Sequence, residues 1–227
     1  MRVDHLANQR KGAKYWLTGV LPAFRDGISP LTATKVISGH EEYQSLCGLT
    51  QKDVDAIVKR ALRGLPESEL AFTLDCLKSW YNGYIFSSIL SSDETTALYN
   101  PQLVFSHLDD IIAGRPPMSY LEEANAVHTS TILSAVGETG PVTVHDLIGM
   151  LGPNANLPIA HIMTELSFDE LLLEQEKRPK NATWSLLYYL GVVTFCKGST
   201  NFSRLRVPNC TMVHLVSLRT CLGGCDH

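Results

Sequence analysis

At 227 residues, 44% of them hydrophobic, the chain is long enough to bury one substantial core or two small ones. Its 19 basic and 23 acidic side chains leave a net charge of -4, which excludes a general electrostatic pull toward nucleic acid or anionic lipid. The basic run Arg10-Lys11-Gly12-Ala13-Lys14 stands where a secretory signal would be apolar, and no window approaches the ~20 apolar residues of a membrane span.

The aromatic and β-branched run Tyr15-Trp16-Leu17-Thr18-Gly19-Val20-Leu21, closed by Pro22, reads as a buried strand and a turn. A Ser, Thr and Pro-containing linker covers Ile28 to Gly39, and Glu41 to Cys47 reads as a short helical turn ended by Gly48. Thr50 with Asp53 three residues on carries the signature of a capping box. The stripe Val54, Ile57, Val58, Ala61 and Leu62 then predicts an amphipathic helix. Gly64 breaks it, Pro66 starts a second helix, and Leu70, Leu74 and Leu77 supply that helix's inner face up to Trp80. Two such short helices need each other, or a third, to cover their stripes.

Asn82-Gly83 reads as a turn, with a short β excursion at Tyr84-Ile85-Phe86 pairing with Ala97-Leu98-Tyr99 across the polar tip 91–94. Asn100-Pro101 is a cap followed by proline at the first helical position, and Val104, His107, Leu108, Ile111 and Ile112 continue at helical period. A longer helix is expected over Glu122 to Val136 and a short one around Val144 to Ile148. Ile159 to Leu166 looks strand-like, Ser167 is placed to cap a helical piece over Asp169 to Leu173, and Glu174 to Pro179 reads as a charged loop. Thr183 to Leu190 predicts a buried helix. A terminal hairpin of Val192 to Phe195 with Arg206 to Pro208 follows, and a last helix starts near Met212. The fold class is therefore mainly α with minor β.

Five phrases, taken in order, resemble the AAA-ATPase-like proteins that often carry a PD-(D/E)XK-nuclease-like domain at the C-terminus. They are Leu17-Thr18-Gly19-Val20; Gly48-Leu49-Thr50 with Asp53-Val54; Trp80-Tyr81-Asn82-Gly83-Tyr84; Tyr99-Asn100-Pro101; and the late pair Leu186 to Gly191 and Val207-Pro208-Asn209. The Trp80 to Tyr84 phrase followed by Asn100-Pro101 is the specific part. The resemblance implies the late part of a P-loop ATPase core over residues 1–40, a helical ATPase-associated region over 41–195, and a short hairpin with a truncated junction over 196–227. Thr18 and Gly19, at the end of the Tyr15 to Leu21 strand, could stand at a vestigial nucleotide-sensing position, but with the phosphate loop missing a tight turn after a core strand is the better reading.

No Gly-rich loop with its lysine and hydroxyl stands in this sequence to cradle phosphates and hold magnesium. The expectation is thus a truncated ATPase-like fragment with no catalytic residues, no cofactor and no ATP hydrolysis of its own. The alternative is a helical protein-interaction or regulatory module derived from an ATPase-nuclease family.

Other chemistry is weaker. Trp80, Tyr81 and Tyr84 could stack a base, but Lys78 is the one basic residue near them, so a core clamp is the better reading and nucleic acid is not expected as a partner. Cys221, Cys225 and His227, completed by Cys210 or His214, superficially suggest zinc without a recognisable framework, so no metal site is expected. His128 and His145 lie near acidic residues with no nucleophile in context, and the pairs Asp109-Asp110 and Glu122-Glu123 are expected to face solvent. The six cysteines are expected to stay reduced in an intracellular protein. Three sequons, at Asn181, Asn201 and Asn209, read as chance. An apolar strand at Tyr15 to Leu21 without neighbours predicts pairing with a protein partner or with a second copy of the chain.

Overall fold

Caps and apolar stripes decide where the helices of this chain begin and which faces they bury. A computed structural model describes residues 21–24, 37, 39–46, 48–87, 97–116, 136, 140–152, 155–159, 161–196 and 203–222. Over these the fold is mainly helical, with minor strand content and a small open sheet.

After a 3-10 turn at Glu41–Leu46, Thr50 caps helix α1 (Gln51–Ala61). The Asp53 amide donates to the Thr50 hydroxyl at 3.2 Å and the Thr50 amide donates to the Asp53 carboxylate at 2.9 Å. The box satisfies two N–H groups that a helix start leaves open. Those hydrogen bonds from Thr50 also hold the Asp53 carboxyl below its ordinary range. Val54, Val58 and Leu62 are buried and Ile57 is half-buried; Ala61, expected in the same stripe, ends the helix and is exposed.

Helix α2 (Glu67–Tyr81) follows Pro66 and buries Thr73, Leu77 and Tyr81, with Leu70 and Leu74 half-covered. Helix α3 (Pro101–Ile112) starts at Asn100, whose side chain accepts from the Leu103 amide at 3.3 Å. The three helices enclose a first core of Val54, Val58, Leu77, Tyr99, Val104 and Leu108, among others.

Two expectations for α3 are corrected. Ile112 is exposed at the end of the helix. Asp110 is buried, because its carboxylate accepts from Arg115 Nε at 2.6 Å and its carbonyl from the Arg115 amide at 2.9 Å. A carboxylate enters a core edge only with such partners. Asp109 faces solvent as expected, and Glu122-Glu123 lie outside the described residues.

The second core gathers around a three-stranded antiparallel sheet and the later helices. Helix α4 (Val144–Ile148) carries its own capping box, Thr143 with Asp146. The sheet has the order β2 (Leu157–Ile159), β5 (Ser203–Arg206), β4 (Thr194–Phe195), with β5 in the middle. The two strands of the expected terminal hairpin pair in the register Thr194 to Arg206 and Phe195 to Leu205, but the second strand ends at Arg206, so Val207 and Pro208 lie beyond the ladder. A separate parallel pair joins β1 (Ala23–Phe24) to β3 (Leu166–Ser167).

Ser167 caps α5 (Phe168–Leu171). Beyond it, α6 (Lys180–Tyr189) is almost wholly buried, and α7 (Cys210–Leu222) closes the described chain. Trp184 and Leu187 of α6 pack with Ile85, Val193, Leu205 and Leu215.

The strand expected over Ile159 to Leu166 is instead the end of β2, an irregular passage, and the start of β3. Backbone hydrogen bonding explains the break. The Met163 amide donates to the Ser185 hydroxyl at 2.8 Å and the Met163 carbonyl accepts from the Tyr189 hydroxyl at 3.0 Å, so α6 side chains satisfy groups that a sheet would otherwise use.

The charged loop Glu174 to Pro179 contains a 3-10 turn at Gln175–Lys177 and one buried member, Arg178. Its guanidinium donates to the Leu171 and Leu173 carbonyls at 2.9 and 3.1 Å, supplying donors that the end of α5 lacks.

The strand expected at Tyr15 to Leu21 lies outside the described residues except for Leu21; the nearest described pairing, β1, starts after Pro22. Of the helix expected over Glu122 to Val136 only Val136 is described, and it is buried. Among the described residues no helix is long and apolar enough to cross a membrane.

Candidate functional site

The phrases that carried the family resemblance are spread over more than 150 residues of sequence, and the described ones meet at one place. After α2 ends, Asn82 takes an extended conformation and Gly83 a φ of +121°. The chain passes through an isolated antiparallel bridge, Tyr84 with Leu98, rather than the tight turn expected at Asn82-Gly83. The Gly83 and Tyr84 amides both donate to the Leu98 carbonyl, at 3.2 and 3.1 Å. One residue on, Tyr99 bridges Leu49, and the Asn100 amide donates to the Tyr81 carbonyl at 3.2 Å. Gly48, Leu49 and Thr50 are thereby laced to Tyr99 and Asn100, and these in turn to Tyr81 and Tyr84.

The late phrase Val207-Pro208-Asn209 arrives from the other side. The backbone of Pro208 lies so close to Gly83 that a β-carbon on Gly83 would stand 2.1 Å from the Pro208 carbonyl oxygen. Arg206 donates from its guanidinium to the Gly83 carbonyl at 3.1 Å and reaches the Pro208 carbonyl at 3.5 Å. The Thr211 hydroxyl donates to the Trp80 carbonyl at 2.6 Å. Asn209 accepts from the Met212 amide at 3.2 Å and so caps α7.

Tyr84 sits at the centre. Burial pushes its phenol up to about 12, and the side chains of Asn209 and Asn100 against the hydroxyl offset part of that effect. Its ring stacks on Phe86 at 6.2 Å between centroids, and Gly191 lies along its edge. Phe86 meets Tyr188 edge-on, and the Tyr188 hydroxyl donates to the Phe86 carbonyl at 2.9 Å. Burial raises Tyr188 as well. Just beyond, the buried Thr194 hydroxyl accepts from the Ile85 amide at 2.7 Å and donates to the Ile85 carbonyl at 2.8 Å, tying this segment to β4. On the other flank the Tyr99 hydroxyl donates to Gln51; burial raises it, while Asn82 and Gln51 lower it.

This arrangement holds two cores together. Tyr81 and Tyr99 belong to the first core, Ile85 and Tyr188 to the second, and the segment Asn82 to Tyr84 runs between them. The aromatic clamp expected from Trp80, Tyr81 and Tyr84 is thus made by the two tyrosines, whose buried rings offer no face to a base. Trp80 is half-buried and contributes its carbonyl and one flank of its ring.

Arg206, Thr211 and Thr194 were not anticipated as members. Arg206 and Thr211 flank the Val207-Pro208-Asn209 phrase and were legible only as its neighbours; Thr194 had no signal beyond its place in the hairpin.

Thr18 and Gly19 lie outside the described residues, as do His128, Cys225 and His227. Cys210 and His214 are exposed along α7, and His145 is exposed on α4. Among the described residues no group of three or more His, Cys, Asp or Glu could hold a metal ion, and Cys76, Cys196 and Cys210 are free thiols. Comparison with protein-family models, with curated proteins and with solved structures returned no match for this chain.

Proposed function

We propose that this chain is a non-hydrolysing, mainly helical piece of an AAA-ATPase-like protein, and that it works by binding another protein rather than by chemistry on ATP. The observation that carries the reading is the meeting of four separated phrases of the resemblance at the joint around Tyr84. The sequence as it stands offers no backbone cradle, lysine and hydroxyl for the β and γ phosphates. A partner would be sought on the exposed apolar side chains, Phe72 of α2, Phe105 and Ile112 of α3, Phe168 of α5 and Leu172 just beyond it.

The test is a turnover assay of the purified chain with ATP and magnesium. The expected rate equals that of a mock preparation. A rate above the mock that co-purifies with the chain and disappears on Thr18→Ala would overturn the reading.

A further inference from the structure

The packing of α2 on α3 includes one buried polar contact. Tyr81, the last residue of α2, places its hydroxyl 3.2 Å from Nδ1 of His107 on α3. The two rings meet edge-on, with centroids 5.5 Å apart and planes at 74°. His107 is only 5% exposed and lies on the α3 face that also carries Leu103, Val104 and Leu108. Tyr81 is also bound into the joint, since its carbonyl accepts from the Asn100 amide. A change at His107 therefore acts on the helix pair and, through Tyr81, on the residues that fasten the first core to the second.

Among the described residues few charged groups face the ring. From α2, Tyr81 is the ionisable group facing the imidazole; Glu67, Glu69, Asp75 and Lys78 are exposed, and the half-buried Cys76 interacts with Asp75. The ionisable residues of α1 lie on its exposed face, apart from half-buried Asp55, which acts on Tyr99. On α3 itself Asp110 acts on the ring, but its carboxylate is shared with Arg115.

We propose that the His107–Tyr81 contact is an acid-sensitive latch: it holds α2 against α3 while the imidazole is neutral and releases them when the ring takes up a proton. A neutral imidazole presents one lone pair and one N–H, whereas the protonated ring presents two donors and a full positive charge. That charge would have to be held in an apolar core, where an incompletely paired ion is costly. Burial accordingly depresses the His107 pKa, and Asp110 opposes this only in part. The direction sets the sign. The unfolded or opened chain binds its proton near pH ~6.5, before the closed form does, so the latch is complete above that pH and weakens as pH falls below it.

Hydrogen exchange on the full chain at pH 7.5 and 5.5, corrected for intrinsic exchange rates, reads the latch directly. Protection of the α3 amides is expected to fall about threefold to tenfold at pH 5.5, the upper figure being the limit set by an opened-state pKa near 6.5. Protection of the α6 amides should change much less. In His107→Gln, which stays neutral, the α3 loss should disappear. Unchanged α3 protection in the parent, an equal fall in α6, or an equal fall in the variant would each overturn the proposal. Should the variant not fold, imidazole nitrogen shifts of the parent decide the matter. Protonation in step with the loss of α3 protection supports the latch, and a protonated His107 with α3 protection intact removes it.

Discussion

Replacing Gly83 with alanine is expected to lower the stability of the chain by about 3–5 kcal/mol, the sum of a backbone forced into a region that disfavours side chains and a contact that cannot be relieved. The φ of +121° is one that L side chains rarely adopt. The added β-carbon would meet the Pro208 carbonyl oxygen at 2.1 Å and its carbon at 2.9 Å, both backbone atoms that no rotamer change can move. Relief requires the segment Asn82 to Tyr84 to draw away from Pro208, which breaks the Arg206 bond to the Gly83 carbonyl and shifts Tyr84 against Asn209. Gly64→Ala supplies the control. Its φ is +95°, but nothing lies within 4 Å of the new carbon, so only about 1 kcal/mol of backbone strain is expected. The urea midpoints of the parent and the two variants separate strain from close approach. Equal small shifts in both variants would mean that Pro208 does not press on Gly83.

The second large effect is expected at Trp184. It is fully buried on α6 and packs in the second core with Ile85, Leu205 and Leu215. Truncation to alanine leaves a cavity and should cost about 3–5 kcal/mol. Trp184→Phe should cost distinctly less. Among the described residues the buried indole nitrogen has no hydrogen-bond partner, so removing it relieves a desolvated donor while most of the ring volume stays. Urea unfolding followed by circular dichroism checks both variants. A phenylalanine variant as unstable as the alanine one would show that the indole N–H is satisfied in solution.

What the sequence made legible was what its neighbours within a turn or two decide. Thr50 with Asp53, Asn100 with Pro101 and Ser167 all cap the helices expected of them, because a cap depends on residues three positions apart. Thr143 with Asp146 repeats the Thr50 signature and was readable on the same grounds. The burial of Asp110 was not, since the adjacent Asp109 has the same local character and only the return of Arg115 distinguishes them. The break in the strand at 161–165 depends on Ser185 and Tyr189, a helix away.

The joint shows the same division. Its members could be picked out as aromatic, glycine and asparagine phrases, but their common task could not. Gly83 is needed because Pro208 arrives beside it, and Tyr84 is neutral and buried because Asn100, Asn209 and Gly191 enclose it. Those partners come from three other parts of the chain, and the periodicity of no single element reports them.

That these separated phrases form one interlocked joint is tested most directly by a double-mutant cycle between Tyr84→Phe and Asn209→Ala, read from urea unfolding of the full chain. The loss of the α7 cap in Asn209→Ala occurs in both arms and cancels, which isolates the coupling between the Tyr84 and Asn209 side chains. A coupling of about 0.5–3 kcal/mol is the expected result. Additivity to within about 0.3–0.5 kcal/mol, the behaviour of sites that do not touch, would contradict it.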